Sequence, residues 1–396
     1  METLVTIGYI ALCVLFFSVA IAIHEFGHFI VAVLLGLKVE RFSIGFGPAI
    51  WKKTWKGVEY RFSWIPLGGY VSIPDVDPEG TKKLEGGSTA EPRRQIAPWK
   101  EVAVAFAGPA MNIVLAVVLA VALSMMDGAS FGKLKLDISE VLPDGPAARA
   151  GILAGDRIVA VNGHAVETRS DMQTEFILAK GRPSEVVLER AATNVTVTIE
   201  PVYEPPLDRP LIMVALTNSD DSASAMAWMP ERSVWGQLKW DAGQMARVLK
   251  ALTTPREMRA TGKALGGPVV IAQGIYNSVR HDFADGLGFL RFINVNLAVI
   301  NLLPIPVLDG GLILFALIAI VFRRRVPEKI VGALTNVFMV LLLALMGFLI
   351  LRDSKRLWDV KKYESSQAVD KVVTDEAPAA EDEDEHENDD ESAEGR

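Results

Sequence analysis

Four stretches of apolar residues divide the chain: Leu4 to Leu37, Val102 to Met125, Leu287 to Phe322 and Ile330 to Leu351. A helix needs about 20 residues to cross a hydrocarbon core of ~30 Å, so each stretch is long enough to span a membrane. The first and third exceed what one crossing requires, and polar or helix-breaking residues interrupt both. That pattern predicts a span followed by a broken or re-entrant part in each. Between the first two spans, "RFSIGFGPAIWKK" and "GVEYRFSWIPLGGYVSI" set glycines among alternating β-forming residues and predict a hairpin at the membrane face, followed by a Pro, Gly, Glu and Lys-rich linker from Pro74 to Pro98.

Between the second and third spans the pattern becomes that of a soluble domain. "SEVLPDGPAARAGILAGDRIVAVNGHAV" reads as a strand, a Gly-Pro turn, a short helix and a strand ending at Asn162-Gly163, a preferred two-residue hairpin turn. A helical "RSDMQTEFILA" and the strands "SEVVLER" and "VTVTIEP" follow. Residues 230–285 read as amphipathic helices with Trp235, Leu238 and Trp240 among charges, lying either on the membrane surface or against the soluble domain.

Composition agrees with the spans. Half of the 396 residues are apolar, which for an ordinary globular chain is high and points to an integral membrane protein. The formal charge of −8 belongs to the tail, because residues 375–396 hold twelve acidic side chains against Arg396. That run reads as solvated and disordered. The single cysteine, Cys13, excludes an intramolecular disulfide and reads as core packing. Met1-Glu2-Thr3 lacks a basic leader, so the first span is expected to be retained. Eleven Lys/Arg between residues 38 and 101, and Arg323, Arg324 and Arg325 after the third span, place both loops in the cytoplasm and both termini outside. No basic patch interleaved with aromatic residues suggests nucleic acid.

The chemistry lies where the apolar pattern breaks. "HEFGH", residues 24–28, sets two imidazoles and a carboxylate inside the first span. Residues i and i+4 share a helix face, so His24 and His28 can turn ring nitrogens to one ion while Glu25 flanks the open position, the arrangement of a zinc hydrolase. Catalytic zinc takes three protein ligands and a water, so one ligand must come from elsewhere. "NLLPIPVLDGG", residues 301–311, supplies a candidate in Asp309, beside two glycines that permit close backbone approach. Each ionisable residue in a span costs roughly 2.5–3.5 kcal/mol on insertion scales, so a cluster of them is functional by default. Asn296 and Asn301 precede the proline-broken section and either hold substrate backbone or cap freed carbonyls. "AGPAMN", residues 107–112, has small residues suited to helix packing, with the role of Asn112 open. His164, His281 and His386 lie in soluble segments and carry no assigned role.

HEFGH in the first span and NLLPIPVLDGG in the third, in that order, resemble the site-2 protease family of intramembrane zinc metalloproteases, closest to the bacterial regulator-of-sigma-E protease type. The segment between the second and third spans resembles a PDZ domain of bacterial envelope proteases, a fold that binds extended peptides by adding a strand. The resemblance implies an α-helical integral membrane protein of four transmembrane segments, with a membrane-associated β-hairpin loop and an inserted α+β PDZ domain. The expected division is 1–37 first span, 38–101 hairpin loop and linker, 102–125 second span, 134–203 PDZ domain, 204–286 amphipathic helices, 287–322 third span, 330–351 fourth span and 365–396 acidic tail. It further implies Zn2+ held by His24, His28 and Asp309, Glu25 as general base, and Asn301 with Gly69, Tyr70 and Val71 presenting an unwound substrate as an added strand.

The expected activity is cleavage of the anchors of single-pass proteins in the bacterial inner membrane after another protease has cut first, with the PDZ domain and termini periplasmic and the PDZ groove open to a peptide. Leu312 stands where many relatives carry histidine, and one PDZ domain is expected where the nearest type has two. A non-catalytic membrane scaffold recruiting envelope proteins through its PDZ domain is the competing expectation. A third reading, a zinc protease facing the aqueous side, would want a glutamate ligand on a helix soon after His28, and none is present in such a pattern.

Overall fold

The computed structural model describes residues 2–76, 96–126, 136–166, 169–179, 182–204, 209–216, 232–254 and 266–375. Most of the linker from Pro74 to Pro98 lies outside them, as do residues 376–396 of the acidic tail. Helix α1, Glu2–Leu34, leads into a β-hairpin of β1, Arg41–Trp55, and β2, Val58–Ser72. Helix α2, Pro98–Met125, starts with its proline in the first turn, where the missing N–H costs nothing. A soluble unit follows: β3 (Ile138–Val141), α3 (Pro146–Arg149), β4 (Arg157–Val161), β5 (His164–Ala165), α4 (Arg169–Ala179), β6 (Ser184–Arg190), β7 (Thr193–Ile199), β8 (Val202–Glu204), β9 (Arg209–Leu211) and β10 (Val214–Leu216). Among the described residues five helices follow: α5 (Val234–Thr253), α6 (Pro268–His281), α7 (Phe283–Asn301), α8 (Asp309–Phe322) and α9 (Glu328–Asp375).

Among the described residues four helices are long and apolar enough to cross a membrane: Thr6–Leu34, Pro98–Met125, Phe283–Asn301 and Glu328–Asp359. The third apolar stretch breaks, as its two prolines require, into α7, an irregular segment and the short α8. The first does not break. Helix α1 runs unbroken through HEFGH, because His24 and His28 find their partners on α2 and Glu25 on the hairpin instead of disrupting the backbone. Helix α9 continues to Asp375, so it takes in the first residues of the segment expected as an acidic tail from residue 365.

The hairpin is more folded than two strands. Residues 41–44 of β1 pair with residues 59–62 on one side and with residues 69–72 on the other. The chain therefore forms a small sheet in which residues 69–72 are an edge. Gly45 and Gly47, at φ 89° and 88°, supply left-handed backbone where β1 changes register. The base of the hairpin packs Val39, Val58, Ile73 and Val76 against Ala32 of α1 and Val104 of α2, which fixes that edge beside the membrane helices.

The soluble unit has its own core. β5-β4-β6-β7 form an antiparallel sheet and β3 pairs with β10. Alternate residues of β6, Ser184, Val186 and Leu188, are buried, and with Ile158, Val161, Ile199, Met172 and Phe176 they exclude water between sheet and helix. Each such apolar side chain contributes about 1.5–3 kcal/mol. Asn162 and Gly163 both adopt positive φ, the backbone a type I′ hairpin turn needs. Trp240 of α5 lies against Phe292 of α7 at 6.1 Å between ring centroids, so this amphipathic helix packs on the membrane bundle.

Candidate metal centre

Helix α1 delivers His24 and His28 one turn apart, and the break after α7 turns the chain so that α8 begins with Asp309 facing them. His24 Nε2 lies 3.1 Å from Asp309 Oδ2, His28 Nε2 3.4 Å from Asp309 Oδ1, and the two Nε2 atoms 3.2 Å apart. Ligands ~2.0–2.1 Å from a tetrahedral zinc ion stand about 3.3 Å from one another. The observed triangle fits that spacing. Asp309 Oδ2 is buried and accepts no hydrogen bond, which leaves a carboxylate oxygen needing a cation. Two imidazoles and a carboxylate are also a donor set suited to zinc. Among the described residues this is the cluster of histidine and acidic side chains close enough to share an ion.

The break itself depends on glycine. A Cβ on Gly310 would lie 2.2 Å from the Leu303 carbonyl oxygen, and one on Gly311 would lie 2.3 Å from that of Ile305. Any other residue would push Asp309 away from the histidines. Leu312 packs into the apolar cluster under the hairpin.

Glu25 is oriented from the opposite side. Its carboxylate accepts the backbone N–H of Val71, on the outer strand of the hairpin sheet. Gly69 lies beside it, since a Cβ there would stand 3.3 Å from Glu25 Cγ and 2.9 Å from the Ser43 carbonyl oxygen. Asn301 Nδ2 is 3.5 Å from His24 Nε2, at the end of α7. Tyr70 stacks on Phe46 with its hydroxyl 3.5 Å from Arg41, so its ring belongs to the hairpin. Asn296 precedes Asn301 by five residues, about 140° around a helix, and faces a different direction. Its Oδ1 is buried without a hydrogen-bond partner.

The contact between α1 and α2 contributes three features that composition left unread. The His28 Nδ1–H donates to the Val104 carbonyl at 2.7 Å, which leaves Nε2 as the free lone pair. A Cβ on Gly108 would lie 2.4 Å from His28 Nε2 and 2.8 Å from His24 Cε1, so only glycine fits under the imidazoles. Gly27 allows α1 to touch α2 directly, its missing Cβ being 2.3 Å from the Ala107 carbonyl oxygen. Small residues in AGPAMN look like ordinary helix packing in sequence, and only their position opposite HEFGH hints at more.

The model of peptidase family M50 matches residues 12–345, most of the chain and both halves of the site. The chain belongs to peptidase family M50. Proteins bearing the name "Putative zinc metalloprotease" in Clostridium perfringens, Campylobacter jejuni and Clostridium acetobutylicum are 31%, 30% and 29% identical to it. Each alignment covers 87% of this chain, and 98%, 92% and 96% of the respective relative. As an M50 member, the family of site-2 proteases, this chain is a zinc metalloprotease and an integral membrane protein.

Proposed function

We propose that this M50 peptidase cuts the transmembrane anchors of single-pass proteins inside the bilayer, after another protease has removed their outer domain. The observation that carries the reading is the triangle of His24, His28 and Asp309 within apolar helices, with Glu25 held to an open strand edge. His24, His28 and Asp309 would hold the zinc ion. Bound zinc supplies a Lewis acid that acidifies water and polarises a carbonyl. Glu25 takes the water's proton on its carboxylate and returns it to the departing amine, so protons balance over the turnover.

A transmembrane helix satisfies its own backbone, so it must be unwound before attack. The edge at Gly69, Tyr70 and Val71 pairs with the unwound segment as an added strand, and Asn301 holds its backbone beside His24. Asn296 faces elsewhere and acts at most on a more distant part of the substrate. The basic residues between 38 and 101 support a reading in which this hairpin faces the cytoplasm of a bacterial inner membrane and the soluble unit, with both termini, faces the periplasm. That unit, a four-stranded antiparallel sheet with a covering helix, is read as a single PDZ domain that screens substrates by size or binds a peptide strand.

The test is cleavage of a tagged single-pass substrate lacking its outer domain, co-expressed with wild type or Glu25→Gln. Cleavage by wild type alone supports the reading. If neither protein cuts any of several such anchors, the intramembrane reading fails and a scaffold built on the soluble unit takes its place.

A further inference from the structure

Asn112 is fully buried in α2, with its Nδ2 3.1 Å from His24 Nδ1 and its Oδ1 without a partner. As placed, the amide would donate to Nδ1, leaving the imidazole proton on Nε2, the atom that faces Asp309 and His28. That tautomer offers no lone pair to an ion. Turning the amide end for end, a change that nitrogen and oxygen of equal size permit, gives Oδ1 its missing donor in the His24 Nδ1–H and frees Nε2. The same logic already operates on the second imidazole, whose Nδ1–H donates to the Val104 carbonyl about two turns earlier on the same helix. A leucine or valine would pack as well in an apolar span, and burying an amide there is costly unless it is bonded.

We infer that Asn112 is a positioning residue whose side-chain oxygen accepts the His24 Nδ1–H and so fixes the ring in its metal-binding tautomer. This rests on His24, His28 and Asp309 being the zinc ligands. Helix α2 then acts as one rigid backing for both imidazoles, through a carbonyl for His28 and a side chain for His24. Partners of this kind change metal affinity by 10–100-fold when removed from other sites.

The test is zinc affinity of the purified full chain in detergent, by competition with a chromophoric chelator, for wild type, Asn112→Leu, Asn112→Asp and Asp309→Ala. The expected result is a loss of about 10–100-fold for Asn112→Leu. Asn112→Asp, which keeps the acceptor and loses the donor, is expected to stay within a few-fold of wild type. Loss in both variants alike, or in neither, overturns the inference. Asp309→Ala separates it from the reading beneath: if that variant keeps wild-type affinity, the ligand assignment fails first. Should Asn112→Leu not fold, 15N spectra of histidine-labelled, zinc-loaded wild type decide, with His24 carrying its proton on Nδ1 as the expected signature and a proton on Nε2 as the contrary one.

Discussion

The membrane-embedded half and the soluble unit bury polar and apolar groups in opposite ways. In the soluble unit, residues 136–216, the core is Ile, Val, Leu, Met and Phe, and its buried carboxylates, Asp156 and Glu175, are each held by an arginine, Arg190 and Arg247. In the membrane half, the helices present apolar side chains outward to lipid, while their interior holds His24, Asn112, Gln237, Asp241, Arg291 and Asn294. Water is not available to drive helices together in a bilayer, so close packing and internal polar contacts do that work. The lesson is that a buried ionisable group here has one of two purposes. It joins helices, as Arg291 of α7 does by bonding both oxygens of Asp241 of α5 at 2.6 and 3.0 Å, or it builds the site.

The largest effect is expected where that helix joint is cut. Arg291→Met leaves Asp241 buried without its partner and should cost ~3–5 kcal/mol, whereas Arg291→Met with Asp241→Leu should be close to neutral. Thermal unfolding of the purified chain distinguishes the two, and equal losses would mean the pair is not acting as a unit. Next, Ile158→Ala in the soluble core should destabilise that unit by ~2–5 kcal/mol, seen as faster proteolysis of residues 136–216 in the full chain, with zinc affinity unchanged. A change in zinc affinity would mean the two regions are less separate than their cores suggest.

A single methyl should matter more to chemistry than to stability in the membrane half. Gly108→Ala forces the imidazoles aside and is expected to weaken zinc binding by about 10-fold or more while unfolding moves little. The smallest effect is a pH dependence of the soluble unit. The Arg190 guanidinium bonds both oxygens of Asp156, at 2.7 and 2.6 Å, and holds its carboxyl below the usual carboxylate range. A depressed carboxylate adds stability above its unfolded value near 3.9 and loses it as pH falls through the lower folded value. Protection of residues 136–216 from proteolysis should therefore decline only below about pH 4, and Asp156→Asn should flatten that decline.

The same contrast explains what could be read from the chain. His24, Glu25, His28 and Asp309 stood out because an ionisable group in an apolar run has few other reasons to be there. The soluble core was legible for the opposite cause: alternation in SEVVLER and the Asn162-Gly163 turn are local patterns with local consequences. Gly108 and Val104 were hidden, since small residues are normal in membrane helices and a backbone carbonyl leaves no mark in sequence, whereas Asn112 stood out in its apolar span without showing a role. Arg291 and Asp241 were hidden too, because their pairing joins helices fifty residues apart. The unbroken α1 and the double register of the hairpin follow from tertiary contacts that periodicity does not encode: HEFGH leans on α2, and Gly45 and Gly47 turn β1 so that residues 69–72 become an edge.

The most direct measurement is zinc content and cleavage determined together for wild type and Glu25→Gln, on protein purified without chelators. The account predicts about one zinc per chain in both, and cleavage of a single-pass anchor by wild type alone, with a deficit in the variant of at least ~100-fold. A variant that keeps its zinc and still cuts at the wild-type rate would contradict the assignment of Glu25 as the base, and with it the reading of HEFGH as a water-activating site.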